Sequence, residues 1–419
     1  MTAFAYHGDE FYCEEVPVAK IAQAVGTPCY IYSQRTLVEG YRALDRAFAG
    51  LPHLICYAVK ANANLAILRV FIDEGGGLDI VSGGELYRAL RAGADPQHLV
   101  FAGVGKSAEE IEAALQADIL LFNVESSQEL EAINSVAARC GRRARIAMRV
   151  NPDVDPKTHP YISTGLRQSK FGVPIQEALE LYRSTRALPH IDPVGVHAHI
   201  GSQITQVSPF QESLSKLVPL VKELRREGFP IQYLDIGGGL GIRYKDEGPP
   251  APSDYANTLR PMLGALECTV LMEPGRLLVG NAGIFVTKVL YMKTNEAKKF
   301  LVVDGGMNDL IRPSLYSAYH AIVPVHRQAN GRPEVTLDVV GPICESGDFL
   351  AKDRPLPACR SGDLLAILSA GAYGFAMASN YNARPRVPEV MVQGEEFAVV
   401  RARETYEDLI RGEIIPTWS

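Results

Sequence analysis

The sequence predicts an α/β chain: a (β/α)8 TIM-type barrel followed by an all-β domain. Three observations carry that reading. Eight short apolar segments alternate with helical ones between about residue 50 and residue 280, which is the element order of a barrel. Several of these segments are unbroken apolar runs, as expected of parallel strands covered on both faces. Beyond residue 283 the helical periodicity stops, and strand-like runs separated by turns take over.

Taken in order, LICYAVK (54–60) reads as the first strand and LAILRVFIDEG (65–75) as a helix closed by Gly75. LDIVS (78–82), HLVFAG (98–103), ILLFNV (119–124) and ARIAMRVNP (144–152) are the next strands. The helices between them are GELYRALRAG (84–93), SAEEIEAALQA (107–117) and SSQELEAINSVAARCG (126–141). Ser107 followed three residues later by Glu110 makes a capping box at the second of these. A longer loop after residue 152 leads to the helical PIQEALELYRST (174–185). VGVHAHIGS (194–202), IQYLDIGGG (231–239) and TVLMEPG (269–275) complete the strands, with helices at 210–228 and 254–266 between them. In the last third, GIFVTKVLYMK, KKFLVVDGG, HAIVPV, EVTLDVVG, DLLAILSAG, PEVMVQ and EFAVVRA read as strands. GTPCYIYS near the N-terminus is a further strand-like run that can join them. The expected domains are therefore a barrel at 34–282 and a β domain made of 1–33 together with 283–419.

A chain of 419 residues is long enough for two or three domains and a large core. Hydrophobic residues are 47% and charged residues 21%, which excludes disorder, collagen and a disulfide scaffold. The net charge of −6 argues against nucleic acid or an anionic membrane as a partner, since both need clustered Lys and Arg. MTAFAYHGDEFYCEE carries neither a basic n-region nor a long apolar run, so no secretion signal is expected, and a cytoplasmic location is. The seven cysteines (13, 29, 56, 140, 268, 344 and 359) include no CxxC pair, which fits reduced thiols rather than disulfides or a zinc site.

In a barrel, chemistry sits at the C-terminal strand ends. The first strand ends at Lys60, where an ammonium is costly to bury unless paired or used. It is either a rim lysine reaching solvent or a desolvated amine suited to a Schiff base. The sixth ends at His197 and His199, which alternation places on one face. They could be core histidines, a ring stacked on a flat ligand, or two metal ligands, though no third ligand has plausible spacing and no metal is expected. The seventh ends in Gly237, Gly238, Gly239 and Gly241, and the eighth in Glu273, Gly275 and Arg276. Loops after strands seven and eight are the usual phosphate site of a barrel, and glycines let backbone N–H groups approach an anion. A lysine, an anion cradle and a carboxylate together fit pyridoxal 5'-phosphate, which needs an amine partner, a phosphate site and an acid beside its ring nitrogen.

The motifs YAVKAN (57–62), SKFG (169–172), HAHIGSQ (197–203), DIGGGLG (235–241), EPGR (273–276), GGMNDLIRPSLYSAYH (305–320), GPICESGD (341–348) and GAYGFAMASNYN (371–382) occur in this order. On these the chain resembles the fold-type III pyridoxal-phosphate decarboxylases, whose alanine racemase-like barrel carries a C-terminal β domain. Within that group it resembles the branch acting on meso-2,6-diaminopimelate, giving L-lysine and CO2 in the last step of lysine biosynthesis. The resemblance implies that Lys60 holds the cofactor, His199 stacks on its ring and Glu273 meets its nitrogen. It implies that Ser202, Gly239, Gly275, Arg276 and Tyr373 hold the phosphate. Arg276, Arg312 and Tyr316 would take the substrate's distal carboxylate, and Glu345 its distal amino group. Cys344, with Glu345, would reach the active site of a second subunit in a homodimer, and Cys344 or Lys60 would protonate the α-carbon. Guanidinium groups suit a carboxylate, so the arginine of LIRPSLY speaks for a substrate with a second acid. Relatives acting on ornithine, arginine or carboxynorspermidine are the alternative. A racemase fits less well beside Glu273, and a non-catalytic cofactor carrier does not account for the large β domain.

Overall fold

The computed structural model describes residues 3–155, 170–296, 298–327 and 332–418. Part of the loop expected after residue 152, and Ser169 of the SKFG motif, lie outside the described residues. The chain forms two compact units, Leu37–Leu278 and Met1–Thr36 with Val279–Ser419.

The first unit is a closed parallel barrel of eight strands. They are β1 (His53–Ala58), β2 (Gly77–Ile80), β3 (Leu99–Phe101), β4 (Leu121–Val124), β5 (Ala144–Asn151), β6 (Ile191–His197), β7 (Tyr233–Asp235) and β8 (Thr269–Met272). Each pairs in parallel with its sequence neighbour, and β8 returns to β1 through Met272 opposite Ile55, so no edge is left open. Inside, Cys56, Val100, Leu121, Ala147, Val194 and Leu271 form one apolar cluster drawn from six strands. A buried aliphatic side chain of this kind contributes ~1.5–3 kcal/mol relative to exposure.

The helices that follow β1 to β4 begin on side-chain caps: Asn64, Ser82, Ser107 and Ser126 accept the N–H of Ala66, Glu85, Glu110 and Glu129. Each cap is worth ~1 kcal/mol and fixes where the strand-end loop stops. The Ser107–Glu110 capping box is present. Seven of the eight strands end before the sequence reading, two of them at site residues. β1 stops at Ala58, and Lys60 sits in a single 3-10 turn, Val59–Ala61, that carries the chain out of the sheet toward the Asn64 cap. β6 stops at His197, so His199 lies beyond the strand rather than alternating along it.

The second unit is β-rich. Cys29–Ser33 runs between Gly283–Thr294, to which it is antiparallel, and Glu389–Gln393, to which it is parallel. The N-terminal run thus supplies an inner strand. The strand Phe349–Pro357, whose charged and proline-containing sequence hid it, pairs with Glu334–Val340. Phe11, Ile21, Ile31, Ile284, Val286 and Val390 belong to its core. No helix among the described residues is long and apolar enough to cross a membrane.

Within this unit Gly283 and Gly371 meet backbone to backbone: a Cβ on Gly371 would lie 1.9 Å from the Val279 carbonyl oxygen. Because that neighbour is main chain, it cannot rotate away. Gly371→Ala should therefore cost ~2 kcal/mol or more, read as a lowered urea midpoint at unchanged slope; a wild-type midpoint would show that the close approach is not required.

Candidate active site

Five polar groups stand at the C-terminal end of the barrel where aliphatic side chains would otherwise fill it. Asp79 lies on β2, Asn123 lies on β4, His197 ends β6, Asp235 ends β7 and Glu273 follows β8, all of them buried. Asn123 Nδ2 donates to Glu273 Oε1 at 2.9 Å and to Asp235 Oδ2 at 3.2 Å. Since β4 and β7 are three places apart in the barrel, this bond crosses its interior. His197 Nε2 lies 3.4 Å from Glu273 Oε2, an ion-pair distance rather than a well-formed hydrogen bond.

Lys60 Nζ donates to Asp79 Oδ2 at 2.6 Å, the lysine reaching solvent and the aspartate fully enclosed. Burial, aided by the Glu273 charge, pushes the Asp79 carboxyl up to about 7, although Lys60 opposes it. Burial alone would also raise Glu273, but His197 and Lys60 outweigh it and hold that carboxyl well below the usual range. Asp235 goes the other way, raised by burial and then by Glu273. Burial, with the Arg149 guanidinium next, keeps the His199 pKa well below its ordinary value, so the ring is neutral. Its Nδ1 accepts the Gly238 N–H at 3.1 Å, which puts the ring proton on Nε2 and fixes the ring plane.

The glycines of the β7 loop have a steric cause. A Cβ on Gly238 would fall 2.1 Å from the Glu273 carbonyl oxygen, and one on Gly239 2.4 Å from that of Gly201. They let the loops after β6, β7 and β8 lie backbone against backbone, which brings Ser202, Gly239, Gly275 and Arg276 to one end of the barrel. Arg276 is buried and donates to Tyr244 Oη at 2.5 Å and Ser202 Oγ at 3.3 Å. Arg149 pairs with Glu125 at 2.9 Å, both buried. Glu125 also accepts the N–H groups of Gly103 and Gly172.

In the β-rich unit the other expected residues sit on three segments tied by hydrogen bonds. Asp348 accepts the N–H groups of Met307 and Ile343, Ser314 Oγ donates to Gly347 O, and Cys344 N–H donates to Asn382 Oδ1. Arg312 is buried, and its Nε donates to His320 Nε2 at 3.3 Å; His320 Nδ1 donates in turn to Leu368 O. Tyr316 lies beside the Arg312 guanidinium, 5.9 Å from ring centre to Cζ. Cys344 and Glu345 are exposed, whereas Cys13, Cys29, Cys56, Cys268 and Cys359 are buried. Tyr373 is half-buried and has a positive φ of 56°.

The sequence offered His197 and His199 no third metal ligand. The fold instead brings Asp235 and Glu273 to His197, with one ligand atom of each within 4.8 Å. Asn123 directs its N–H donors at both carboxyls, however, and donors occupy the space a cation would need. The set fits pyridoxal phosphate better: a partly exposed amine, a neutral flat ring, a charged buried carboxylate and an arginine beside a serine and glycines. Asp79 Oδ1, which is buried and has no hydrogen-bond partner among the described residues, adds an acceptor at the same place.

Asp79, Asn123, Arg149 and Asp235 were not singled out from sequence. Their signal was a polar residue interrupting an apolar strand, as in LDI, LFNV, AMRV and YLDI, since such burial is tolerated only with partners. The Arg149–Glu125 pair is testable: Glu125→Ala leaves a buried guanidinium uncompensated and should cost ~3–5 kcal/mol in urea unfolding, while a loss below ~0.5 kcal/mol would mean that the pair is solvated.

Comparisons with known proteins point the same way. Residues 34–280 match the family described as pyridoxal-dependent decarboxylase, pyridoxal binding domain. The chain is 51% identical to a diaminopimelate decarboxylase of Pseudomonas aeruginosa over 99% of both chains. It is 50% identical to that of Aquifex aeolicus, covering 97% of this chain and 96% of that one. Among solved structures, diaminopimelate decarboxylase from Helicobacter pylori complexed with L-lysine superposes with a TM-score of 0.90 at 44% identity, covering 94% of this chain and 98% of that one. The chain belongs to the diaminopimelate decarboxylase family of pyridoxal-dependent decarboxylases.

Proposed function

We propose that this chain removes one carboxylate of meso-2,6-diaminopimelate, with pyridoxal phosphate as cofactor, to give L-lysine and CO2 as the last step of lysine biosynthesis. The observation that carries the reading is the buried Glu273 carboxylate, kept ionised within the same strand-end cluster as the Lys60–Asp79 pair. It is supported by relatives of that name at about half identity over nearly the whole chain.

Pyridoxal phosphate supplies, when bound, an electron sink for the carbanion left as CO2 departs. This chain's residues supply the rest. Lys60 Nζ would hold the cofactor, and Asp79 Oδ2 is placed to take the proton the amine sheds. His199, fixed by Gly238, would cover the ring face, and Glu273 would keep a proton at the ring nitrogen. Ser202, Gly239, Gly275, Arg276 and Tyr373 would hold the phosphate. Arg276, Arg312 and Tyr316 would take the distal carboxylate and Glu345 the distal ammonium, so that the scissile bond is oriented by binding at the far end. Cys344 or Lys60 would return the proton to the α-carbon. Ornithine and its like lack the distal acid that Arg312 would meet, and the comparisons do not favour that alternative.

We also propose a homodimer in which exposed Cys344 and Glu345 serve the partner's site, in the cytoplasm, whose reducing poise suits unpaired thiols.

CO2 release from a panel of amino acids tests the activity. Diaminopimelate should be turned over at least ~100-fold faster than ornithine, arginine or lysine, and comparable rates would contradict the assignment. Mixing inactive Lys60→Ala and Cys344→Ala chains should restore up to about a quarter of the activity through hybrid dimers; no recovery with subunit exchange confirmed would place Cys344 in its own chain's site.

A further inference from the structure

The Asp235–Glu273 pair has a consequence that the decarboxylase reading, on which it rests, does not contain. Two carboxyl groups are enclosed in one barrel, with one oxygen of each within 4.8 Å of the other, and are bridged by a single amide, Asn123. Two carboxylates so placed cannot both carry charge, because like charges in a low-dielectric interior repel strongly. One must keep a proton, and the surroundings choose which. Glu273 faces His197 at 3.4 Å, receives the shorter Asn123 bond and feels Lys60. Among the described residues the Asp235 carboxyl meets neutral donors, the Gly237 N–H at 2.9 Å and the longer Asn123 bond at 3.2 Å. Other titratable groups around the pair are His199, Asp79, Cys56 and Tyr255.

We propose that Asp235 is a positioning residue that stays protonated and donates its hydrogen to Glu273, so that Glu273 remains the ionised, oriented carboxylate for the cofactor's ring nitrogen. The pKa directions of the two groups agree, Asp235 raised and Glu273 lowered. Asp235 does not touch the reacting atoms in this account; it acts through Glu273. A donor directed at Glu273 accounts for an acid, rather than an aliphatic residue, at the end of β7.

The proton can be observed directly. Infrared difference spectra between the full-length wild type and Asp235→Asn at neutral pH, with and without pyridoxal phosphate, should contain the C=O stretch of a protonated carboxyl lost in the variant. A difference showing only ionised carboxylate would overturn the proposal. Because this readout needs neither substrate nor turnover, its failure would leave the decarboxylase reading untouched. Affinity for pyridoxal phosphate gives a second reading. Asp235→Asn, still a donor, should bind within about threefold of wild type, whereas Asp235→Leu should bind at least ~10-fold more weakly. Equal loss in the two would mean that Asp235 acts through its charge or its shape. Asp235→Ser, smaller and still a hydroxyl donor, takes the place of the asparagine variant should that fail to fold.

Discussion

The structure of the barrel depends on keeping one carboxylate, Glu273, ionised where water does not reach it. An uncompensated charge there would cost several kcal/mol or more, and a neutral acid would not suit the proposed contact with a protonated ring nitrogen. The surrounding residues meet this constraint from several strands at once. Asn123 donates from β4, His197 stands beside it from β6, and Asp235 shares its proton from β7. Closure of the sheet between β8 and β1 makes the arrangement possible, since only a closed barrel brings the ends of β4, β7 and β8 to one point.

The same enclosure sets the chemistry of the neighbours. Burial, with the Glu273 charge next, pushes the Asp79 carboxyl up to about 7 beside the Lys60 amine that donates to it. His199 stays neutral, and with its proton on Nε2 it can lie over an aromatic ring without repelling a protonated pyridine. The glycines at 237–239 serve this geometry first through sterics, because any Cβ there would collide with main chain of the adjoining loops. Gly238 then fixes His199 through its N–H. In the β-rich unit the comparable device is Asp348, whose two oxygens join the loop of Arg312 to the loop of Cys344.

Much of this was legible in the sequence, for physical reasons. The eight strands were readable because a strand buried on both faces is an apolar run of fixed length, and the capping box because Ser107 and Glu110 stand at the required spacing. Lys60, His199, Glu273 and Arg276 stood out as polar residues at strand ends. What escaped were the residues whose meaning is relational. Asn123 and Asp235 are 112 residues apart, and nothing local says that the barrel lays them together. The strand at Phe349–Pro357 was missed because an edge strand carries Lys, Asp, Arg and Pro where a buried one carries Val and Ile. The end of β1 was placed two residues late, since apolar Val59 continues the run although the backbone has already turned.

The claim that an ionised Glu273 organises the site is tested most directly by removing the atom it should meet. The affinity of the full-length protein for pyridoxal phosphate is compared with that for the analogue in which the ring nitrogen is replaced by C–H, in wild type and in Glu273→Gln. Wild type should prefer pyridoxal phosphate by at least ~10-fold, the worth of one charge-assisted hydrogen bond, and Glu273→Gln should lose most of this preference. Equal affinity of wild type for the two compounds would contradict it.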